Sequence, residues 1–411
     1  MLKMNAPMSK KAFRNVIGSR AAIASVLLVT NALVWYFYAF TIMGSILNST
    51  PSDQFTTLLL WSVHFAGAIF SVLIGALWMK AGKSRTSFLI SWMLLGAVSS
   101  LAYFVGNTVG TLGLAVLFFL FGVSFGAGMP ICMGYFSDYT PVENRGSLGG
   151  IIVFAFGLGM FLLRILPGSI ATEALILAGW RMAGLVAFLL IKPYEESGEA
   201  KNVSYRSVLS QRSLIFYLVP WILFSLVNNL SQPVLSNILK PSLVEFSITI
   251  ENVLAGVFAI VGGFLTDFLG RKRMATAGFV MLGLGYTILG IAPQSTLSVY
   301  FYTVVDGVAW GTLFVIFVMA VWGDLSYGAF SDKYYAIGGV PFLVSIFLPT
   351  VIGQYISTVS PYAIFSFTAF FLFLAVLPLM YAPETLPEKT IKDRELQGYV
   401  VRAKRAKEKY S

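Results

Sequence analysis

The chain has 411 residues, 57% of them hydrophobic and only 11% charged, with a mean hydropathy of +0.80. Soluble domains carry roughly 25% charged residues, so a water-soluble fold is excluded and an all-α membrane protein is expected. The net charge of +10 suggests nucleic acid or acidic lipid as a partner, but the placement of the cations argues against nucleic acid.

A helix needs about 20 apolar residues to cross a ~30 Å hydrocarbon core. Runs of that length are predicted over residues 20–47, 54–79, 86–106, 110–136, 147–167, 172–192, 213–238, 243–269, 274–292, 297–323, 336–357 and 361–382. Residues 1–19 carry Lys3, Lys10, Lys11 and Arg14, but the run behind them is too long for a cleavable signal. The first helix is therefore expected to remain as an anchor. With a cytoplasmic N-terminus, all but three of the 28 Lys and Arg residues fall on the inner side. The exceptions are Lys240 in an outer loop and Arg164 and Arg181 inside helices. This positive-inside bias predicts twelve transmembrane helices in the cell (plasma) membrane, with both termini cytoplasmic. The basic tail from Pro383 reads as a solvated segment, with contact to anionic lipid as the alternative. Trp180-Arg181 stands eleven residues before Lys192, so either Arg181 sits unusually deep or the sixth helix is irregular. A single Cys132 and a single His64 exclude an intrachain disulfide and a cysteine or multi-histidine metal site; no cofactor is expected. Asn48-Ser-Thr reads as a chance sequon.

The chain repeats itself at half length. Gly263-Phe-Leu-Thr-Asp267-Phe-Leu-Gly270-Arg271-Lys272-Arg273 echoes Gly75-Ala-Leu-Trp-Met79-Lys80-Ala-Gly82-Lys83-Ser-Arg85. Gly122-Val-Ser-Phe-Gly126 parallels Gly307-Val-Ala-Trp-Gly311, Gly149-Gly150 parallels Gly338-Gly339, and Asp138 parallels Asp324. Two pseudo-symmetric six-helix bundles are expected over 20–192 and 213–382. A cytoplasmic N-terminus (1–19), a polar linker (193–212) and a basic cytoplasmic tail (383–411) complete the chain. Duplicated bundles of this kind are the usual build of a secondary transporter.

These residues resemble the major facilitator superfamily. The turn from Gly263 to Arg273 is similar to the family signature between helices 8 and 9. Tyr135-Phe-Ser-Asp138-Tyr-Thr-Pro141-Val-Glu-Asn-Arg145-Gly146 and Pro383-Glu384-Thr385 are similar to patterns of the sugar-porter branch. The resemblance implies the major facilitator fold and alternating access, with cytoplasmic charges latching one face. Asp267, Arg271 and Arg273 would form one latch; Asp138, Glu143, Arg145, Lys83 and Arg85 would form the other. Simple positive-inside anchoring is the bland alternative. The chain departs from the pattern at Met79, where an acid is expected. It departs again at Phe121, near where many proton-coupled members carry an arginine. The Gly-Pro-x-x-Gly-Gly pattern of drug antiporters is missing from helix 5.

Ionisable groups within a membrane are costly and are usually functional. His64, Arg164, Glu251 and Asp306 each lie 18 or 19 residues from the cytoplasmic end of their helices, which is roughly 27–28 Å at ~1.5 Å per residue. Asp306 and Glu251 are the candidate proton-coupling groups; Arg164 is a candidate for a substrate carboxylate or a counter-charge. His64, Asn31, Trp35, Tyr38, Asn228, Gln232 and Trp310 complete the candidate substrate contacts, at helical spacings that put amides beside aromatics. The expected protein is a monomeric, non-enzymatic secondary transporter of a small polar solute, a sugar or an organic acid, with protons as the coupling partner. An efflux antiporter for amphipathic compounds is the alternative. A receptor or membrane enzyme lacks a catalytic constellation or a soluble module.

Overall fold

The structure is a computed structural model that describes residues 20–50, 53–78, 84–166, 168–191, 201–239, 241–326, 328–387 and 396. Among these, twelve helices are long and apolar enough to cross a membrane. They are α1 (Arg20–Ser49), α2 (Gln54–Leu77), α3 (Arg85–Gly106), α4 (Gly110–Tyr139), α5 (Val142–Ile165) and α6 (Ile170–Ile191). After a short helix over Tyr205–Leu209 come α7 (Arg212–Ile238), α8 (Leu243–Leu269), α9 (Arg271–Ile291), α10 (Thr296–Asp324), α11 (Asp332–Ile356) and α12 (Pro361–Tyr381). The predicted runs locate all twelve. Their starts differ most at α5 and α11, whose first turns are polar. Those turns hold Glu143 and Arg145 in α5, and Asp332 and Lys333 in α11, residues that a hydropathy window discards. Parts of the expected cytoplasmic segments (1–19, 192–200 and most of the tail beyond 387) lie outside the described residues.

The chain divides into two compact units. The first is built from the described parts of 1–140 and 158–202, the second from 141–157 and 203–411. The start of α5 thus groups with the second unit, where contiguous halves were expected. Within each unit the same helices pair: α2 with α4 and α3 with α6 in the first, α8 with α10 and α9 with α12 in the second. The duplicated glycines explain why. A Cβ on Gly122 would lie 2.2 Å from the His64 carbonyl oxygen, and one on Gly311 would lie 2.3 Å from that of Ala255. Without a hydrophobic force between helices in lipid, such backbone contact is a main source of packing energy. Gly311→Ala is therefore expected to pry α8 from α10 and destabilise the purified protein by about 1–3 kcal/mol. Guanidinium unfolding in detergent would read this, and an unchanged midpoint would mean the contact is not tight.

Several helices are interrupted where side chains gather. α7 contains Pro220 and Pro233, and α11 contains Pro341 and Pro349. α10 widens into a π-turn over Val315–Ala320, a feature that often marks functional helices. Between α8 and α9 the backbone turns at Gly270 with φ of 102°, a conformation that favours glycine. A Cβ there would also come within 2.4 Å of the Glu384 carboxylate.

Candidate functional site

In the first unit, the expected contacts of α1 point inward to their own bundle. Asn31 is 4% exposed and donates from Nδ2 to the Trp180 carbonyl at 2.8 Å. Its Oδ1 accepts from Arg181 Nη1 at 2.9 Å. Trp35 is fully buried and donates to Ser100 Oγ at 2.9 Å, while Tyr38 donates to the Leu163 carbonyl at 3.4 Å. His64 is a joint between helices. Its Nδ1 lies 3.0 Å from the Phe118 carbonyl, which can only accept. Nδ1 therefore carries the proton, and Nε2 accepts from Tyr36 Oη at 3.2 Å. Phe121, the repeat counterpart of Asp306, is fully buried and lies 6.0 Å from the Trp35 ring, centroid to centroid.

The two arginines of this unit differ sharply. Arg164 ends α5 in its last turn and is exposed. Arg181 is fully buried at the middle of α6. The short run to Lys192 thus reflects a deep arginine on a regular helix. Its guanidinium carbon lies 4.2 Å from the centroid of the Trp92 ring and 5.4 Å from that of Trp35; Nε and Nη2 find no hydrogen-bond partner among the described residues. Cation–π contact when desolvated contributes about 2 kcal/mol or more, which offsets part of the burial penalty. Gly96 makes the fit possible, since a Cβ there would lie 2.8 Å from Nε.

The charge clusters sort differently from the sequence grouping. Arg85 pairs with Asp138 in the first unit, while Lys83 lies outside the described residues. Arg145 pairs instead with Asp324 in the second unit. Arg271 joins the same carboxylate at 3.1 Å from Nε, and reaches Asp267 at 2.7 Å from Nη1. Its Nη2 also donates to the Val142 carbonyl at 2.6 Å. Asp267 in turn caps the start of α5, accepting from the Gly146 and Ser147 backbone N–H groups at 2.9 and 2.6 Å and from Ser147 Oγ at 2.6 Å. A carboxylate at a helix N-terminus meets both free donors and the positive end of the dipole. Gly146 and Gly263 allow the approach, because a Cβ on Gly263 would lie 2.3 Å from the Gly146 carbonyl oxygen. Glu143 is half-buried in the turn that opens α5, and Arg273 is exposed outside this network.

Two members of the network belong to Pro383-Glu384-Thr385, which sequence reading used only for its resemblance. Glu384 accepts from the Arg271 and Lys272 backbone N–H groups at 2.7 and 3.1 Å. Thr385 Oγ1 donates to Asp324 at 2.9 Å.

The second site lies deeper in the second unit, on α7 to α10. Gly307 brings α10 against the backbone of Glu251 on α8; a Cβ on Gly307 would lie 2.9 Å from the Glu251 carbonyl oxygen. Asp306, the next residue, is 2% exposed. Gly307 thus sets Asp306 on α10 beside the turn of α8 that carries Glu251. Glu251 Oε1 and Asp306 Oδ1 have no hydrogen-bond partner among the described residues, and no described cation lies within ion-pair range of either. Thr303 Oγ1 donates to Ser247 Oγ at 3.1 Å one turn away. Tyr302 stands one turn before Asp306 on α10, and its hydroxyl lies 3.0 Å from that of Tyr286. Tyr286 donates to Asn228 Oδ1 at 2.7 Å. Asn228 is buried; Gln232, one turn on, is half-buried, and so is Trp310, which packs on the Phe224 ring at 4.8 Å.

Such a bundle of twelve helices has the major facilitator fold. The crystal structure of FucP, a major facilitator superfamily transporter in the outward conformation, matches with a TM-score of 0.74 at 11% identity. The match covers 89% of this chain and 100% of that one. A variant of the E. coli fucose:proton symporter FucP matches at 0.67 and 11% identity, over 89% and 98% of the two chains. The proton:xylose symporter XylE, bound to 6-bromo-6-deoxy-D-glucose, matches at 0.66 and 15% identity, over 89% and 96%. No protein-family model and no curated protein matches the sequence.

Proposed function

We propose that this chain is a proton-coupled secondary transporter of a small polar solute, a sugar or an organic acid, working by alternating access as a monomer. It would lie in the plasma membrane with both termini cytoplasmic. The observation that carries the reading is the Glu251–Asp306 pair. Two neighbouring carboxylates, Asp306 buried and Glu251 half-buried, with no cation in ion-pair range among the described residues, cannot both be ionised at modest cost, so the pair holds a proton that can exchange. Asn228, Gln232 and Trp310 on α7 and α10 supply amides and an aromatic face close to that pair in the chain's own second unit, as a hydroxylated solute needs. Asn31, Trp35, Tyr38 and His64 act by holding their bundle's geometry. The Asp267–Arg271–Arg145–Asp324 cluster acts as the cytoplasmic latch, and Arg85–Asp138 as its counterpart.

The test is uptake by the purified protein in proteoliposomes under an imposed proton gradient, with L-fucose, D-xylose and D-gluconate as probes. Gradient-dependent accumulation of at least one probe, abolished by a protonophore, is the expected result. Accumulation that ignores the gradient would leave a uniporter, and the carboxylate pair would lose its assigned role.

A further inference from the structure

The charge network at the start of α9 leaves two basic residues of its own turn unused. Arg273 is exposed and makes no ion pair or hydrogen bond with a described residue. Lys272 is half-buried, and its Nζ crosses to the last turn of α12, where it donates to the Met380 carbonyl at 2.7 Å. Glu384, the acid at this end, is already taken. Its two oxygens accept from the backbone N–H groups of Arg271, Lys272, Thr385 and Leu386 at 2.7 to 3.1 Å. Both cations therefore stand without a counter-charge at the edge of the membrane span.

Beyond them the same face of α9 is apolar. Ala277, Val280 and Leu284 follow at helical spacing and, with Met380, help to line an open groove of about 750 Å³ whose rim is Lys272 and Arg273. Val280, Leu284 and Met380 are exposed. Farther along, α9 and α12 press together, since a Cβ on Gly283 would lie 2.9 Å from the Phe373 ring. Lys272 to Leu284 spans roughly 18 Å at ~1.5 Å per residue, close to half of a ~30 Å hydrocarbon core. The groove thus has the depth of one leaflet.

We propose that this groove binds an anionic phospholipid, with the phosphate on Lys272 and Arg273 and one acyl chain along Ala277, Val280 and Leu284. After its bond to Met380, the Lys272 ammonium keeps two N–H donors, and the Arg273 guanidinium offers a planar fork that matches phosphate. A basic surface alone needs no groove, and an apolar groove alone accepts any lipid. Together they select an amphiphile with an acidic head, as basic pockets between membrane helices do. In the orientation proposed above, the groove opens to the cytoplasmic leaflet, where anionic lipids concentrate.

The experiment is native mass spectrometry of the full-length protein in detergent, titrated with dioleoylphosphatidylglycerol, dioleoylphosphatidylcholine or glycerol phosphate, a head without a tail. One molecule of phosphatidylglycerol should bind tightly. Lys272→Gln/Arg273→Gln should weaken it about 30-fold, the worth of two basic contacts. Ala277→Phe fills the groove at an exposed position with no change of charge, and should weaken it about tenfold by displacing acyl carbons. Arg206→Gln/Arg212→Gln removes the same charge from exposed positions outside the groove, and should weaken it less than about threefold. Equal affinity for phosphatidylcholine, or equal losses in the two double variants, would overturn the site and leave a general lipid-facing surface. Unchanged binding in Ala277→Phe would remove the acyl chain from the groove. Displacement of the lipid by an equal concentration of glycerol phosphate would make this a free-phosphate pocket and overturn the lipid assignment.

Discussion

Asp324→Asn is expected to destabilise the protein by roughly 3–5 kcal/mol, because it leaves two buried guanidinium groups short of their counter-charge. The Asp324 side chain is fully enclosed and accepts from Arg145, Arg271 and Thr385. An amide retains one acceptor oxygen and turns an N–H₂ toward cations that need acceptors. Asp267 pairs with Arg271 and is already engaged with the start of α5. Arg273→Gln, an exposed change on the same turn, should move stability by no more than about 0.5 kcal/mol. Guanidinium unfolding of both variants in the same detergent decides the matter. Equal losses would mean that the buried network is not what holds α5, α8, α9 and α10 together at this end.

The contrast between those two positions shows what the sequence could reveal. Asp267, Arg271 and Arg273 occupy one short motif, and spacing alone gave no reason to treat Arg273 differently. Its exposure follows from the direction of the first turn of α9, which is set by the Gly270 conformation. Helix number and repeat were legible because lipid demands long apolar runs and because Gly122 and Gly311 recur at matching positions. Long-range pairing was not legible. Arg145 reads as a partner of the neighbouring Asp138, yet it meets Asp324, 179 residues away. Depth counting put Glu251 and Asp306 at one level, and the structure packs Gly307, beside Asp306, on the Glu251 backbone. The same counting put Arg164 in that layer; its side chain is exposed in the last turn of α5. It left Arg181 between a deep position and an irregular helix, because the burial of that residue depends on Trp35 and Trp92 from other helices. The Tyr302–Tyr286–Asn228 chain had no sequence signature, because three helices supply one residue each.

Asp306→Asn is expected to abolish proton-driven accumulation, while exchange of solute across the membrane continues. Net uphill uptake requires the carrier to return without its proton, and an asparagine can neither bind nor release one. Exchange requires only that the loaded carrier reorient, and an amide approximates the protonated carboxyl in size and charge. Stability should move in the direction opposite to that of Asp324→Asn. Asp306 has no cationic partner to strand, and Glu251 would be relieved of a neighbouring charge. A gain of about 1–3 kcal/mol is expected, the size of an uncompensated buried polar group. Two measurements on one preparation are therefore linked: gradient-driven uptake should fall to the level of empty liposomes, and the unfolding midpoint should rise. Undiminished uphill uptake would move the proton to Glu251 alone. A fall in stability comparable to that of Asp324→Asn would reveal that a cation pairs with Asp306 after all, and that the carboxylates are not a proton-sharing pair.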